Sequence, residues 1–214
     1  MSQPQPPRTI AILGATGGTG RQLVNQALAA GYHVIALVRD PAKLDLAHER
    51  LRIEVADVTD AESLAPLLED ADAVLSALGS TGGDVCEQAM RAVLDASASD
   101  ARIIAVSAQP VARRDDGPAW WCRLFLLPVI RRIYRAEYAD LARMEEVLHA
   151  SAVVWSVLRP PYLTDAPAVG TRRLREEASP PRSLSMSRAD LALTMLHILD
   201  EPSTYRRVLG VGSP

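Results

Sequence analysis

The 214-residue sequence predicts an α/β fold: one doubly wound, mostly parallel sheet in the strand order 3-2-1-4-5-6. Three observations carry that prediction. Short apolar runs alternate with segments of helical period, as right-handed βαβ crossovers require. A glycine-rich turn, Gly14-Ala15-Thr16-Gly17-Gly18-Thr19-Gly20, joins the first apolar run to the first helical segment. The length suits one domain with a proper core, and 48% apolar with 23% charged residues is an ordinary globular balance.

Residues 1–7 are Ser/Gln/Pro-rich with no apolar run, so they read as a frayed tail, not a secretory signal. Residues 8–214 read as one domain. Arg8 to Leu13 is the first strand, and the helix from Gly18 to Ala30 turns Leu23, Ala27 and Leu28 to one face. His33 to Val38 and Leu51 to Val55 are the next strands. A helix over Ala61 to Glu69 leads to a fourth strand, Ala73 to Leu78. A helix over Asp84 to Ala98 leads to a fifth, Arg102 to Ser107. The helix over Glu137 to Ala150 lines up Leu141, Met144 and Leu148, and Val153 to Leu158 is the sixth strand. Ser187 to Leu199 is a helix with Ser187 at its N-cap and Asp190 three residues on, close to a capping box. Arg206 to Val211 would add a late seventh strand. Gly170 to Pro181, rich in arginine and glutamate, is expected either as a charged loop covering the cleft or as disordered chain.

The glycine turn points to a diphosphate. Such a group needs backbone N–H donors and no Cβ in its way, and a helix N-terminus adds partial positive charge. The spacing is Gly14-x-x-Gly17-x-x-Gly20, with Gly18 inside it. The end of the second strand then discriminates between nucleotides: a carboxylate grips a ribose 2′-OH, a cation a 2′-phosphate. Here it reads Leu37-Val38-Arg39-Asp40-Pro41, with Lys43 four residues beyond Arg39. Arg39 and Lys43 favour NADP over NAD, and Asp40 reads as capping the turn before Pro41. Asp57, after the third strand, either accepts from the adenine amino group or caps the next helix, with Val58 beside it. Leu78 and Gly79 close the fourth strand where the nicotinamide ribose would pass, and Gly82-Gly83 loosens the following loop.

Composition removes other chemistries. Lysine and arginine total 23, and Lys43 is the only lysine. It follows Pro41-Ala42, so no G-x-x-x-x-G-K-[ST] loop exists, and no other lysine is available for a Schiff base. A Tyr-x-x-x-Lys pair would need tyrosine at position 39, which is Arg39. The net charge of −3 argues against nucleic acid as a partner. No run of apolar residues is long enough for a transmembrane helix. Cys86 and Cys122 have no redox or metal spacing, as suits a reducing cytoplasm, and His33, His48, His149 and His197 show no metal-ligand spacing.

Taken together, these segments resemble the atypical short-chain dehydrogenases/reductases with a Rossmann-type NAD(P)-binding domain. The biliverdin-IXβ reductase/flavin reductase type looks closest, with the NmrA-like redox sensors as cousins. The matching pieces are the glycine turn, Leu37-Val38-Arg39-Asp40, Asp57-Val58, Leu78-Gly79, Val106-Ser107-Ala108, Arg143 to Leu148, Arg159-Pro160-Pro161 and Ser187-Arg188-Ala189-Asp190-Leu191. The resemblance implies an NADPH-dependent reductase of planar, conjugated small molecules such as flavins, quinones or linear tetrapyrroles. It implies that Thr16, Gly17, Thr19 and Gly20 hold the diphosphate, and Arg39 and Lys43 the 2′-phosphate. Asp57 and Val58 would sit at the adenine, and Leu78 and Gly79 at the nicotinamide side. Ser107 would lie in the reaction cleft, with Pro160, Pro161 and Tyr162 flanking the nicotinamide. Tyr162 stands where a histidine is expected, and Leu141 where ordinary members carry the helix lysine.

Without a tyrosine–lysine pair, two routes remain for the proton. A stable anionic product could take it from water, or Tyr162, Tyr138 or Ser107 could donate it. The first route is preferred, with Ser107 orienting or polarising the acceptor by a hydrogen bond; the lesser alternative is a hydroxyl that satisfies a strand end. Alternatives to a reductase are a redox sensor that binds NADP(H) without turnover, and a cofactor-dependent isomerase, epimerase or lyase-like enzyme. The segment from Ala112 to Arg135, with Trp120-Trp121 and Phe125, breaks the βα rhythm. It reads as a lid or wall for a flat substrate, a dimer contact, a membrane-surface contact, or a helix packed on the core. Monomer and homodimer both remain open.

Overall fold

The structure, a computed structural model, describes residues 8–79, 83–98, 101–112, 124–125, 127–170, 172–181 and 183–213. Its first six strands are β1 (Thr9–Leu13), β2 (His33–Val38), β3 (Leu51–Val55), β4 (Ala73–Ser76), β5 (Arg102–Val106) and β6 (Val154–Arg159). They are parallel and run in the order 3-2-1-4-5-6, as the sequence predicts. β1, β2 and β4 are short, largely β-branched or aliphatic runs buried on both faces, whereas β3, at the sheet edge, alternates Leu51, Ile53 and Val55 with Arg52 and Glu54.

Successive residues point to opposite faces, and the helices divide accordingly. Ile10, Ile12, Val34 and Ala36 meet α1 (Gly18–Ala29) and α6 (Arg188–His197) on one side. Ala11, Leu13, Ile35 and Leu37 meet α2 (Ala61–Leu68), α3 (Val85–Ala96) and α5 (Arg135–Ala150) on the other. The predicted stripe Leu141, Met144 and Leu148 is buried there. Ser187 caps α6 as expected, its hydroxyl accepting from the Asp190 amide at 2.9 Å.

Beyond β6 the chain does more than the sequence suggests. The late strand forms as β10 (Arg207–Gly212), parallel to β6. The charged segment expected as a loop or disordered chain instead contains β8 (Arg173–Glu176), antiparallel to β10 at the sheet edge. The correction has a simple cause. Leu174 packs on the core, Arg173 donates to the Ser213 and Pro181 carbonyls and Glu176 is exposed, and an edge strand tolerates, even benefits from, such charge. A separate ribbon pairs β7 (Tyr162–Thr164) with β9 (Ser185–Ser187). The remaining helix, α4 (Leu127–Ile133), leads into α5. Trp120, Trp121, Cys122, Ser80 and Gly82 lie outside the described residues, as does most of the 112–135 segment before Leu124.

Candidate cofactor and reaction site

The glycine turn sits between β1 and α1, at the carboxyl edge of the sheet where the strand order reverses. Gly14 has φ +74°, and a Cβ there would meet the Ala77 carbonyl oxygen at 2.8 Å. Its own carbonyl accepts from the Gly17 amide at 3.0 Å. A Cβ on Gly20 would lie only 2.0 Å from that same carbonyl oxygen, so the helix can start this close to the strand only with glycine at position 20. Gly17 is the N-cap and brings no side chain over the first-turn amides. Gly17 and Gly18 are exposed, Thr16 is half-buried and Thr19 buried. The result is an open helix N-terminus, the backbone feature a diphosphate requires.

Next to it lies a cleft of about 530 Å³. Of the predicted residues, Arg39, Asp57, Val58, Leu78 and Gly79 line it together. Val55, Val85 and Gln88 also line it and were not singled out from the sequence. Arg39 is exposed at the end of β2. The Asp40 carboxylate accepts from the Ala42 amide at 3.1 Å, so it caps the turn before Pro41 as predicted. Lys43 is exposed and 3.9 Å from Asp40. Arg21 binds the Thr16 carbonyl through Nε at 2.9 Å and the Lys43 carbonyl through its other end, tying the glycine turn to the segment that carries Lys43.

For Asp57 the structure shows a turn cap. Its Oδ1 accepts from the Thr59 hydroxyl at 2.7 Å and the Thr59 amide at 2.9 Å. Those bonds, the hydroxyl's first, with the Arg39 charge adding to them, hold its carboxyl below the usual range. The cap of α2 itself belongs to Asp60, which accepts from the Glu62 amide at 3.0 Å.

At the end of β5, Ser107 is buried and its hydroxyl donates to Glu145 Oε1 at 2.6 Å. Glu145, on α5 and 4% exposed, also accepts from both ends of the Arg159 guanidinium, with Nε at 2.9 Å. Arg159 ends β6, so three elements meet in one charge-assisted cluster. Sequence reasoning assigned Glu145 no role, yet a carboxylate on the buried stripe of α5, between Leu141 and Leu148, was a readable signal. Pro160 and Pro161 are buried just beyond Arg159, whereas Tyr162 is 76% exposed. Tyr138 is half-buried, and burial raises its phenol pKa, with Tyr134 and Glu137 adding to the effect. Leu141 is buried in the core.

A family model described as NAD(P)H-binding matches residues 14–202, from the glycine turn to beyond α6. The chain belongs to the NAD(P)H-binding family. Its solved neighbours extend that picture. An NADP complex of a wide-type short-chain dehydrogenase/reductase from Veillonella parvula superposes with a TM-score of 0.77 at 20% identity, over 97% of this chain and 95% of the other. ChuY, an anaerobilin reductase from Escherichia coli O157:H7, does so with a TM-score of 0.76 at 21% identity, over 96% and 97%. At such identities the likeness is one of fold, and it agrees with the short-chain dehydrogenase/reductase resemblance. An oxidase of Aspergillus niger, pynE, is 31% identical over 45% of this chain and 47% of its own length, so the chain matches about half of that relative. No helix among the described residues is long and apolar enough to cross a membrane.

Proposed function

We propose that this NAD(P)H-binding protein is an NADPH-dependent reductase that transfers hydride to a planar, conjugated acceptor of flavin, quinone or aromatic-ketone type. The observation that carries the NADPH reading is the disposition of charge after β2. Asp40 is turned into a backbone cap, while Arg39 borders the cleft and Lys43 stands exposed beside it. A cation, not a free carboxylate, would then meet the 2′-phosphate. The glycine turn fits a diphosphate because Cβ atoms at Gly14 and Gly20 would collide with backbone. Thr16, Gly17, Gly18, Thr19 and Gly20 would hold it; Asp57 and Val58 border the adenine side, and Leu78 and Gly79 the ribose side. Ser107, Pro160, Pro161 and Tyr162 complete the reaction edge. The bound cofactor would supply the hydride.

The protein's own part is orientation. With its one proton donated to Glu145, Ser107 meets a ligand as a hydrogen-bond acceptor. Ser107 thus has no proton to offer the acceptor, whose anionic product would take one from water. A second reading, a redox sensor that binds NADP(H) without turnover, is supported by the lack of a Tyr-x-x-x-Lys pair in the sequence. An oxidation screen of NADPH and NADH with flavins, quinones and aromatic ketones, run beside cofactor titration, separates the two. Consumption of NADPH supports the reductase; tight binding with no consumption across the panel supports the sensor. Arg39→Ala should weaken NADPH by about tenfold or more, roughly 1.4 kcal/mol, and leave NADH little changed. Equal losses for both cofactors would show that Arg39 does not meet the 2′-phosphate.

A further inference from the structure

The largest unexplained feature is an apolar face turned outward. Leu124, Phe125, Val129, Ile133 and Tyr134 are 48–66% exposed, all within one short stretch at and around α4. Val129 and Ile133, four residues apart, share one side of α4, and Phe125 precedes it at the same spacing in the sequence. The opposite side is already occupied. Leu127 is buried, and Arg131 donates to the Pro110 carbonyl at 2.9 Å and the Ala112 carbonyl at 2.6 Å. Among the described residues, Val129 and Ile133 thus stand on the side of α4 turned away from the core.

Charge identifies what covers it. From Leu124 to Ala136 the sequence has Arg131, Arg132 and Arg135 and no carboxylate, in a chain whose net charge is −3. Arg132 and Arg135 are exposed beside the apolar residues. A second copy docking symmetrically on this face would bring a like-charged patch against it, with no carboxylate from Leu124 to Ala136 to pair with the arginines. An anionic lipid surface satisfies both halves: acyl chains take Phe125, Val129 and Ile133, and headgroup phosphates take the guanidinium groups.

We propose that α4 is a membrane-surface element that seats the protein on anionic lipid. Arg131 fastens it to Pro110 and Ala112, in the segment that leaves the reaction edge after Ser107, so the seat adjoins that edge. The inference stands independently of which acceptor the protein reduces.

The test is co-sedimentation of the full chain with phosphatidylcholine vesicles, with and without phosphatidylglycerol. Binding is expected to the anionic vesicles only, and to weaken with salt. Arg132→Ala and Arg135→Ala should each lower the partition coefficient about fivefold. Phe125→Glu with Ile133→Glu should abolish binding while the melting temperature and NADPH affinity stay unchanged. If the double variant fails to fold, the arginine variants still decide. No preference for anionic vesicles, or binding indifferent to these substitutions, overturns the proposal. So does a dimer seen by light scattering that Ile133→Glu dissociates in the absence of vesicle binding, since it would assign the face to a second copy.

Discussion

Arg102 opens β5 at the amino edge of the sheet and is 4% exposed. Its Nη2 reaches Ser156 Oγ at 2.6 Å, the Ile198 carbonyl at 3.3 Å and Thr204 Oγ1 at 3.4 Å. Nη1 donates to the Ile103 and Val154 carbonyls at 3.0 and 3.3 Å, and Nε to the Leu199 carbonyl at 3.4 Å. The Tyr205 ring lies 4.7 Å from the guanidinium carbon. No carboxylate among the described residues pairs with it, and burial lowers its pKa to about 10, so it remains a cation at neutral pH. Arg102→Met keeps the aliphatic stem and removes every donor. The Ile198 and Leu199 carbonyls would then keep only partners at 3.4–3.5 Å. Two buried carbonyls so exposed cost ~2–6 kcal/mol, at ~1–3 each. Removing a desolvated cation offsets part of that. The expected net loss is ~2–4 kcal/mol, or a melting midpoint lower by roughly 4–16 °C for a chain of this size. Urea and thermal unfolding followed by circular dichroism would measure it. Cofactor affinity should not change, because the glycine turn lies at the opposite edge. A variant as stable as the parent would mean that desolvation outweighs the six hydrogen bonds, and the reasoning would fail.

Three further outcomes are expected. Gly20→Ala places a Cβ 2.0 Å from the Gly14 carbonyl oxygen, so the turn must open; calorimetric titration should show NADPH binding lost, with stability down by about 1–3 kcal/mol. Gly18→Ala meets only the flexible Arg188 side chain, at 2.7 Å, and should cost far less. Burial, with Asp140 adding to it, pushes the Cys86 thiol up to about 12 from 9.0. The unfolded thiol ionises first, so its contribution is intact below pH 9 and falls by up to ~4 kcal/mol toward pH 12. Denaturation series should therefore show a shallower alkaline loss in Cys86→Ala than in the parent; parallel curves would discount the shift. Finally, the buried Asp190 carboxylate accepts from the Val169 and Gly170 amides, each at 2.9 Å, and from the Ser187 hydroxyl at 2.7 Å. Asp190→Ala should cost ~2–3 kcal/mol and speed proteolysis near Val169; unchanged cleavage would show that the loop is held elsewhere.

What could be read from the sequence was what local pattern controls. Strands β1 to β6 announce themselves as apolar runs, and Gly14 to Gly20 as a turn whose spacing has a steric reason. β8 escaped because alternation of charge around Leu174 looks like solvated chain until β10 supplies a partner. Distant caps escaped for the same reason. The first amides of α3 receive no bond from their neighbour Asp84; Cys86 and Glu87 donate instead to Asp140, on α5, at 3.1 and 2.9 Å. The Ser107–Glu145–Arg159 cluster joins three elements that no sequence spacing connects.

The inward side of α5 bears most directly on the chemistry. Ordinary relatives are expected to carry there the lysine that assists a proton-donating tyrosine, and this chain has Leu141, in the core. On either side stand two buried carboxylates. Asp140 binds amides of α3 with both oxygens, and Glu145 accepts from Ser107 and Arg159. Each is committed to holding neighbouring elements in place, with both oxygens engaged in accepting these bonds. The remaining phenol on the helix, Tyr138, has its pKa raised by burial, which weakens it as an acid. On the reductase reading, α5 has thus become a scaffold for the reaction edge, and the proton is left to water. That division favours acceptors whose reduced anions are delocalised, because only they can wait for a solvent proton without reversing the hydride step.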